Sequence, residues 1–164
     1  MVEKEKQADL PNYEYHGART LVWLHEQQLR SFLETWQAAK RATVKLPVTS
    51  DPAYVSLEAL LVHVFKCARR YLVWMCEALH LPDPEIQPVP LAENVADTAE
   101  SYCEHLVQRW RRPLAGVKEE VFCRTENRSW WNVTYCVDAM LEHAVMHPWR
   151  HRFQLEELLA RDKD

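Results

Sequence analysis

Apolar residues recur along this chain in steps of three and four in four separate stretches, the period of a helix buried along one side. The first stretch runs from about Tyr13 to Thr43, with a stripe of Ala18, Leu21, His25, Leu29, Phe32, Trp36 and Ala39. The second begins after "TSDPAY" and carries Leu57, Leu60, Leu61, Val64, Cys67, Ala68, Tyr71, Met75 and Leu79. The third shows Val95, Thr98, Tyr102, Leu106 and Trp110. The fourth starts near Trp131 and carries Val137, Met140, Leu141, Ala144, His147, His151, Leu155 and Leu158. Prolines punctuate the intervals: Pro47 and Pro52 in the first, Pro82, Pro84, Pro88 and Pro90 in the second, Pro113 in the third. Four such segments joined by loops predict an all-α fold, a single-domain four-helix bundle whose core is a common place for a metal. The segment "EEVFCRT" between the third and fourth helices reads as a short strand, and residues 1–12 as a flexible N-terminus.

Composition changes this picture little. Two glycines in 164 residues argue against a hairpin-rich β protein and favour long helices. Charges of both signs are mixed throughout, as in a soluble globular domain, and the net charge of −4 offers no footprint for nucleic acid. The basic run "RWRRPLAGVK" reads as a solvated helix end. The opening "MVEKEKQADL" lacks the apolar stretch of a signal peptide, and no apolar run approaches the ~20 residues of a membrane span. Five cysteines at scattered positions form neither a disulfide framework nor a C-x-x-C pair. A cytoplasmic protein, with no nucleic-acid or membrane partner, is expected.

The histidines matter more. In "HAVMHPWRHRFQLEEL" the residues His143, His147 and His151 stand four apart, one above the other on a helix. His147 and His151 continue the apolar stripe and should face the core, where an imidazole needs a hydrogen-bond partner or a metal. Three ligands in one column cannot easily converge on one ion, so a third ligand should come from another helix. His63 on the second helix is the first candidate and His25 on the first helix the second; His105 follows. The default for a lone core histidine such as His25 is a hydrogen bond. Pro148, between the two ligands, removes a backbone bond to Ala144 and should kink or restart the helix. Trp110, Trp130, Trp131 and Trp149 are candidates to wall an apolar pocket.

The second-helix "LLVHVFKCARRYLVW" together with "HAVMHPWRHRFQLEEL" resembles the DinB-like (YfiT-like) family of four-helix-bundle proteins. The resemblance implies one metal ligand from the second helix, His63, and two from an H-x-x-x-H ahead of an Arg-Gly-Gln-like sequence. Those two are His147 and His151, followed here by Arg152, Phe153 and Gln154, with Phe153 where the family commonly has glycine. His143 then falls outside the ligand set. The resemblance further implies zinc or nickel, a homodimer, and activities such as low-molecular-weight-thiol S-transfer or hydrolysis on a small-molecule substrate. Three imidazoles favour zinc, nickel or iron over magnesium or calcium. The expected function is a divalent-metal-dependent enzyme activating a thiol or water. The alternative is a non-catalytic, stress-related metal- or ligand-binding oligomer. No catalytic side chain beyond the ligands can be singled out, and no P-loop, G-x-S-x-G elbow or dinucleotide fingerprint occurs.

Overall fold

A computed structural model describes residues 10–124 and 127–161. In chain order its elements are α1 (His16–Arg41), a 3-10 turn (Pro52–Tyr54), α2 (Leu57–Ala78), α3 (Ala92–Trp110), the short α4 (Glu119–Phe122), β1 (Asn127–Arg128), β2 (Thr134–Tyr135) and α5 (Val137–Arg161). The protein is mostly helical. Its four long helices share one apolar core, with α1 packed most extensively on α5 and α2 held between α3 and α5.

The helices begin and end for identifiable reasons. Ser56 caps α2, its Oγ accepting from the Ala59 amide at 3.0 Å, and Asp51 caps the preceding turn by accepting from the Ala53 amide at 2.9 Å. Both α1 and α2 end in a Schellman arrangement without glycine. At α1 the amides of Thr43 and Val44 donate to the carbonyls of Lys40 and Ala39; at α2 those of His80 and Leu81 donate to Glu77 and Cys76. The left-handed position is taken by Thr43 in one and His80 in the other, each at φ 54°. Two of the long helices thus terminate without glycine.

Buried indoles and one ion-pair network tie the elements together. Trp36 Nε1 donates to the Leu57 carbonyl at 2.6 Å, joining α1 to α2, and Trp110 Nε1 donates to the Ala68 carbonyl at 3.2 Å, joining α3 to α2. Glu26, buried on α1, accepts from Arg111 Nε and Nη2 at 3.1 and 2.9 Å and from Arg30 Nε at 3.1 Å. The basic run at the end of α3 is therefore not simply solvated: Arg111 is drawn inward by a buried carboxylate.

Three local expectations change. The "EEVFCRT" segment contains the helical turn α4 rather than a strand, with Glu119 and Glu120 in its first turn, where the helix dipole favours acids. The strands lie just beyond it, in an antiparallel hairpin pairing Asn127 with Tyr135 and Arg128 with Thr134. That hairpin consumes the interval assigned to the start of the last helix, so α5 begins at Val137 and not near Trp131. Pro148 lies inside α5 and does not restart it; the helix runs unbroken to Arg161. The expected flexible terminus lies outside the described residues for 1–9, while Leu10 is packed into the core.

Candidate metal centre

The sequence that sets α2 and α5 side by side also sets their histidines face to face. His63 extends from α2 and His147 and His151 from successive turns of α5. Their ring centroids form a triangle with sides of 5.0 Å (His63–His147), 5.2 Å (His63–His151) and 4.7 Å (His147–His151). At metal–nitrogen distances of about 2.0–2.1 Å, imidazoles on adjacent positions of one ion have centroids about 4.5–5.2 Å apart. The rings are also mutually inclined, by 44°, 85° and 70°, and so do not stack.

The nitrogens of His63 and His147 come closest, Nε2 to Nε2, at 3.1 Å. Two lone pairs at that distance repel, and the contact is satisfied by a proton on one nitrogen or by a cation shared between them. Two adjacent nitrogens on one ion stand about 2.9–3.4 Å apart, so the spacing suits either. Cys67, one helical turn after His63, places its Sγ 3.9 Å from His63 Nε2, a few tenths of an ångström beyond the ~3.5 Å of a nitrogen and a sulfur on one tetrahedral ion. Among the described residues, His63, Cys67 and His147 form a group whose ligand atoms all lie within 4.8 Å of one another and could hold a metal ion. His151, expected as the third ligand, is not in that group, although its ring lies beside the other two.

His151 is oriented from behind. Its Nδ1 lies 3.0 Å from Gln154 Oε1 and 3.3 Å from the Tyr54 hydroxyl, which itself donates to Gln154 Oε1 at 2.6 Å. Oε1 can only accept, so Nδ1 carries the proton and Nε2 keeps its lone pair. Tyr54 reaches this position because the Asp51-capped turn holds it at the foot of α2. His147 Nδ1, by contrast, is buried without a hydrogen-bond partner.

Burial decides the charge of the cluster. It pushes the His147 pKa down to about 2, helped by His151 and His63, and that of His151 down to about 4, helped by His63. Burial lowers His63 as well. All three rings are neutral near pH 7, the state in which imidazole binds metal. Burial likewise raises the Cys67 thiol, opposed by a hydrogen bond from Tyr71, so without a metal it stays protonated. His63 faces the outside through a cleft of about 350 Å³ bordered by Pro52, Lys66, Val89 and Leu91.

The remaining candidates separate from this cluster. His143 stacks on Trp131 (centroids 5.4 Å, 28°) and meets the edge of Tyr71 at 5.4 Å. The hairpin supplies that wall: the Ser129 amide donates to Val133 and that of Asn132 to Ser129, with Asn132 left-handed at φ 69°, so Trp130 and Trp131 occupy the turn. Trp110 and Trp149 take no part in it, the first buried in the core and the second 43% exposed on the outside of α5. His25 overturns its default: it is fully buried, neither ring nitrogen has a hydrogen-bond partner, and its ring stacks on Trp110 at 3.8 Å. His105 Nε2 accepts from the Gln87 amide at 3.0 Å.

Sequence reasoning assigned no role here to Cys67 or Tyr54. The signal for Cys67 was present, the same step of four from His63 that singles out His147 and His151. Tyr54 gave none, since nothing local tells that a turn before α2 will meet the end of α5. The described cysteines are all free thiols, and among the described residues no helix is long and apolar enough to cross a membrane. No family model, curated protein or solved structure matches the chain.

Proposed function

We propose that the chain is a DinB-like four-helix bundle and a metal-dependent enzyme in which His63, His147 and His151 hold one divalent ion, zinc, nickel or iron. The observation that carries the reading is the triangle of three neutral, mutually inclined imidazoles drawn from two helices. An ion held by neutral ligands keeps its full charge and, with a position open, lowers the pKa of a bound thiol or water toward ~7. The chain's own part is to keep the ligands neutral by burial, to orient His151 through Gln154 and Tyr54, and to leave the His63 side accessible. Thiol transfer or hydrolysis on a small molecule fits such a site, and the reading includes a homodimer. The test is reaction of metal-reconstituted, untagged protein with pairs of low-molecular-weight thiols and electrophiles. Metal-dependent turnover is expected, and turnover equal in metal-free protein would refute the reading.

One observation favours a second reading. His63, Cys67 and His147 are the residues whose ligand atoms all lie within 4.8 Å of one another. With the Cys67 thiolate and both of these imidazoles on the ion, His151 as fourth ligand would close a tetrahedron, leaving no place for substrate. Cobalt-substituted protein separates the two. A thiolate-to-cobalt charge-transfer band that vanishes in Cys67→Ala assigns the closed, non-catalytic site; its absence in the parent protein leaves the open one.

A further inference from the structure

Beside the histidine cluster, a larger cleft of about 780 Å³ lies between α2, the proline-rich linker and the hairpin. Small-molecule sites typically span about 300–1,000 Å³. Lys66, Arg69 and Arg70 border it from α2 and Arg128 from β1, against one acid, Glu77. Four cations to one acid is unlike the chain as a whole, whose net charge is −4. Among the described residues, none of the four cations is ion-paired with a carboxylate.

Two of these cations, Arg69 and Arg70, are also held in place. Arg69 Nε donates to the Ile86 carbonyl at 3.1 Å, fixing the linker wall. The Arg70 guanidinium lies 4.3 Å over the Trp130 ring, and Trp74 Nε1 donates to the Arg128 carbonyl at 2.9 Å, tying β1 to α2. A guanidinium that is already positioned loses less freedom when it binds a carboxylate or phosphate in a two-pronged contact. The half-buried Trp130 and, with 8% of its surface exposed, Trp74 add apolar surface to the same walls.

We infer that this cleft binds a small organic anion carrying a carboxylate or phosphate beside a planar apolar group. Gathering like charges without counterions costs free energy that a bound anion recovers, and the indoles reward a flat substituent. A polyanion such as nucleic acid fits poorly, because the cationic surface is confined to one concavity of an acidic chain. Lys66 and Val89 border both this cleft and the smaller one onto which His63 opens, so a ligand here lies next to the histidines. The inference stands without a metal.

The test is calorimetric titration of the full chain, freed of metal by chelator, with phenyl phosphate and separately with phenol. Phenyl phosphate should bind, more weakly as salt rises, and roughly tenfold or more tighter than phenol. Arg70→Ala combined with Arg128→Ala should weaken it by roughly tenfold or more, while Arg41→Ala, on another face, leaves it unchanged. The exposed Lys66→Glu must also weaken binding without lowering the melting temperature, which covers the case of a double variant that fails to fold. His147→Ala should bind phenyl phosphate like the parent, so failure of the metal reading leaves this result intact. Absence of phenyl phosphate binding, equal affinity for phenol, or full affinity in the cleft variants would overturn the inference.

Discussion

At the scale of single residues, the buried imidazoles make the fold sensitive to acid. His25 is fully buried without a partner, and burial depresses its pKa to about 3, below the ~6.5 of an unfolded histidine. Between those values the unfolded chain binds the proton and the folded one does not. Its contribution is therefore whole above about pH 6.5 and is lost as pH falls toward 3, at up to about 1.4 kcal/mol per pH unit. His25→Leu should reduce the slope by that amount, leaving the share of His147 and His151. Stability at pH 7 should be unchanged or higher by about 1 kcal/mol, since an unsatisfied polar group is replaced by an apolar one of similar size. Denaturant melts of metal-free parent and variant across this range check it, and an unchanged slope would mean that His25 is partnered in the fold. The stripe of α1 marked His25 as a core residue, but its lack of a partner was not legible. That depends on Trp110 of α3 lying flat over the ring, a contact between residues distant in sequence.

At the scale of elements, the apolar period located the four long helices, whereas their ends were set by chemistry that the period does not carry. Thr43 and His80 occupy left-handed caps where glycine is the usual signal, so nothing in those residue types marks the stops. A β-branched residue is strained there, and Thr43→Gly should raise stability by about 1 kcal/mol, whereas Thr43→Val should not; thermal melts distinguish them. The hairpin was missed because its two-residue strands are too short for an alternating pattern. Glu26 was missed because a carboxylate beside an apolar stripe reads as solvated until its cation is known. Arg111→Ala leaves Glu26 buried with Arg30 alone and should cost about 3–5 kcal/mol, measured by chemical denaturation. A loss below about 1 kcal/mol would show the network to be no stronger than a surface ion pair.

At the scale of the whole molecule, assembly and metal content remain the consequences to test. Met146, Trp149 and Phe153 leave an apolar strip on the outside of α5, exposed by 45%, 43% and 57%, the surface a second copy would cover in the proposed homodimer. Light scattering should give twice the chain mass for the parent and the chain mass for Phe153→Glu; a monomeric parent would contradict the dimer. The histidine cluster was partly legible because its members sit at helical steps within two helices. Which helices face each other is a property of the packed core, and the register that brings His63 Nε2 to 3.1 Å from His147 Nε2 belongs to that packing. The most direct measurement of the central claim is the divalent metal content of untagged protein, for the parent and four single variants. The account requires about one ion per chain in the parent, near-complete loss in His63→Ala, His147→Ala and His151→Ala, and retention with affinity reduced by no more than about 10–100-fold in His143→Ala. Metal lost from His143→Ala but kept in His63→Ala, or a parent that takes up no metal when supplied with it, would contradict the assignment of these three histidines as the ligands.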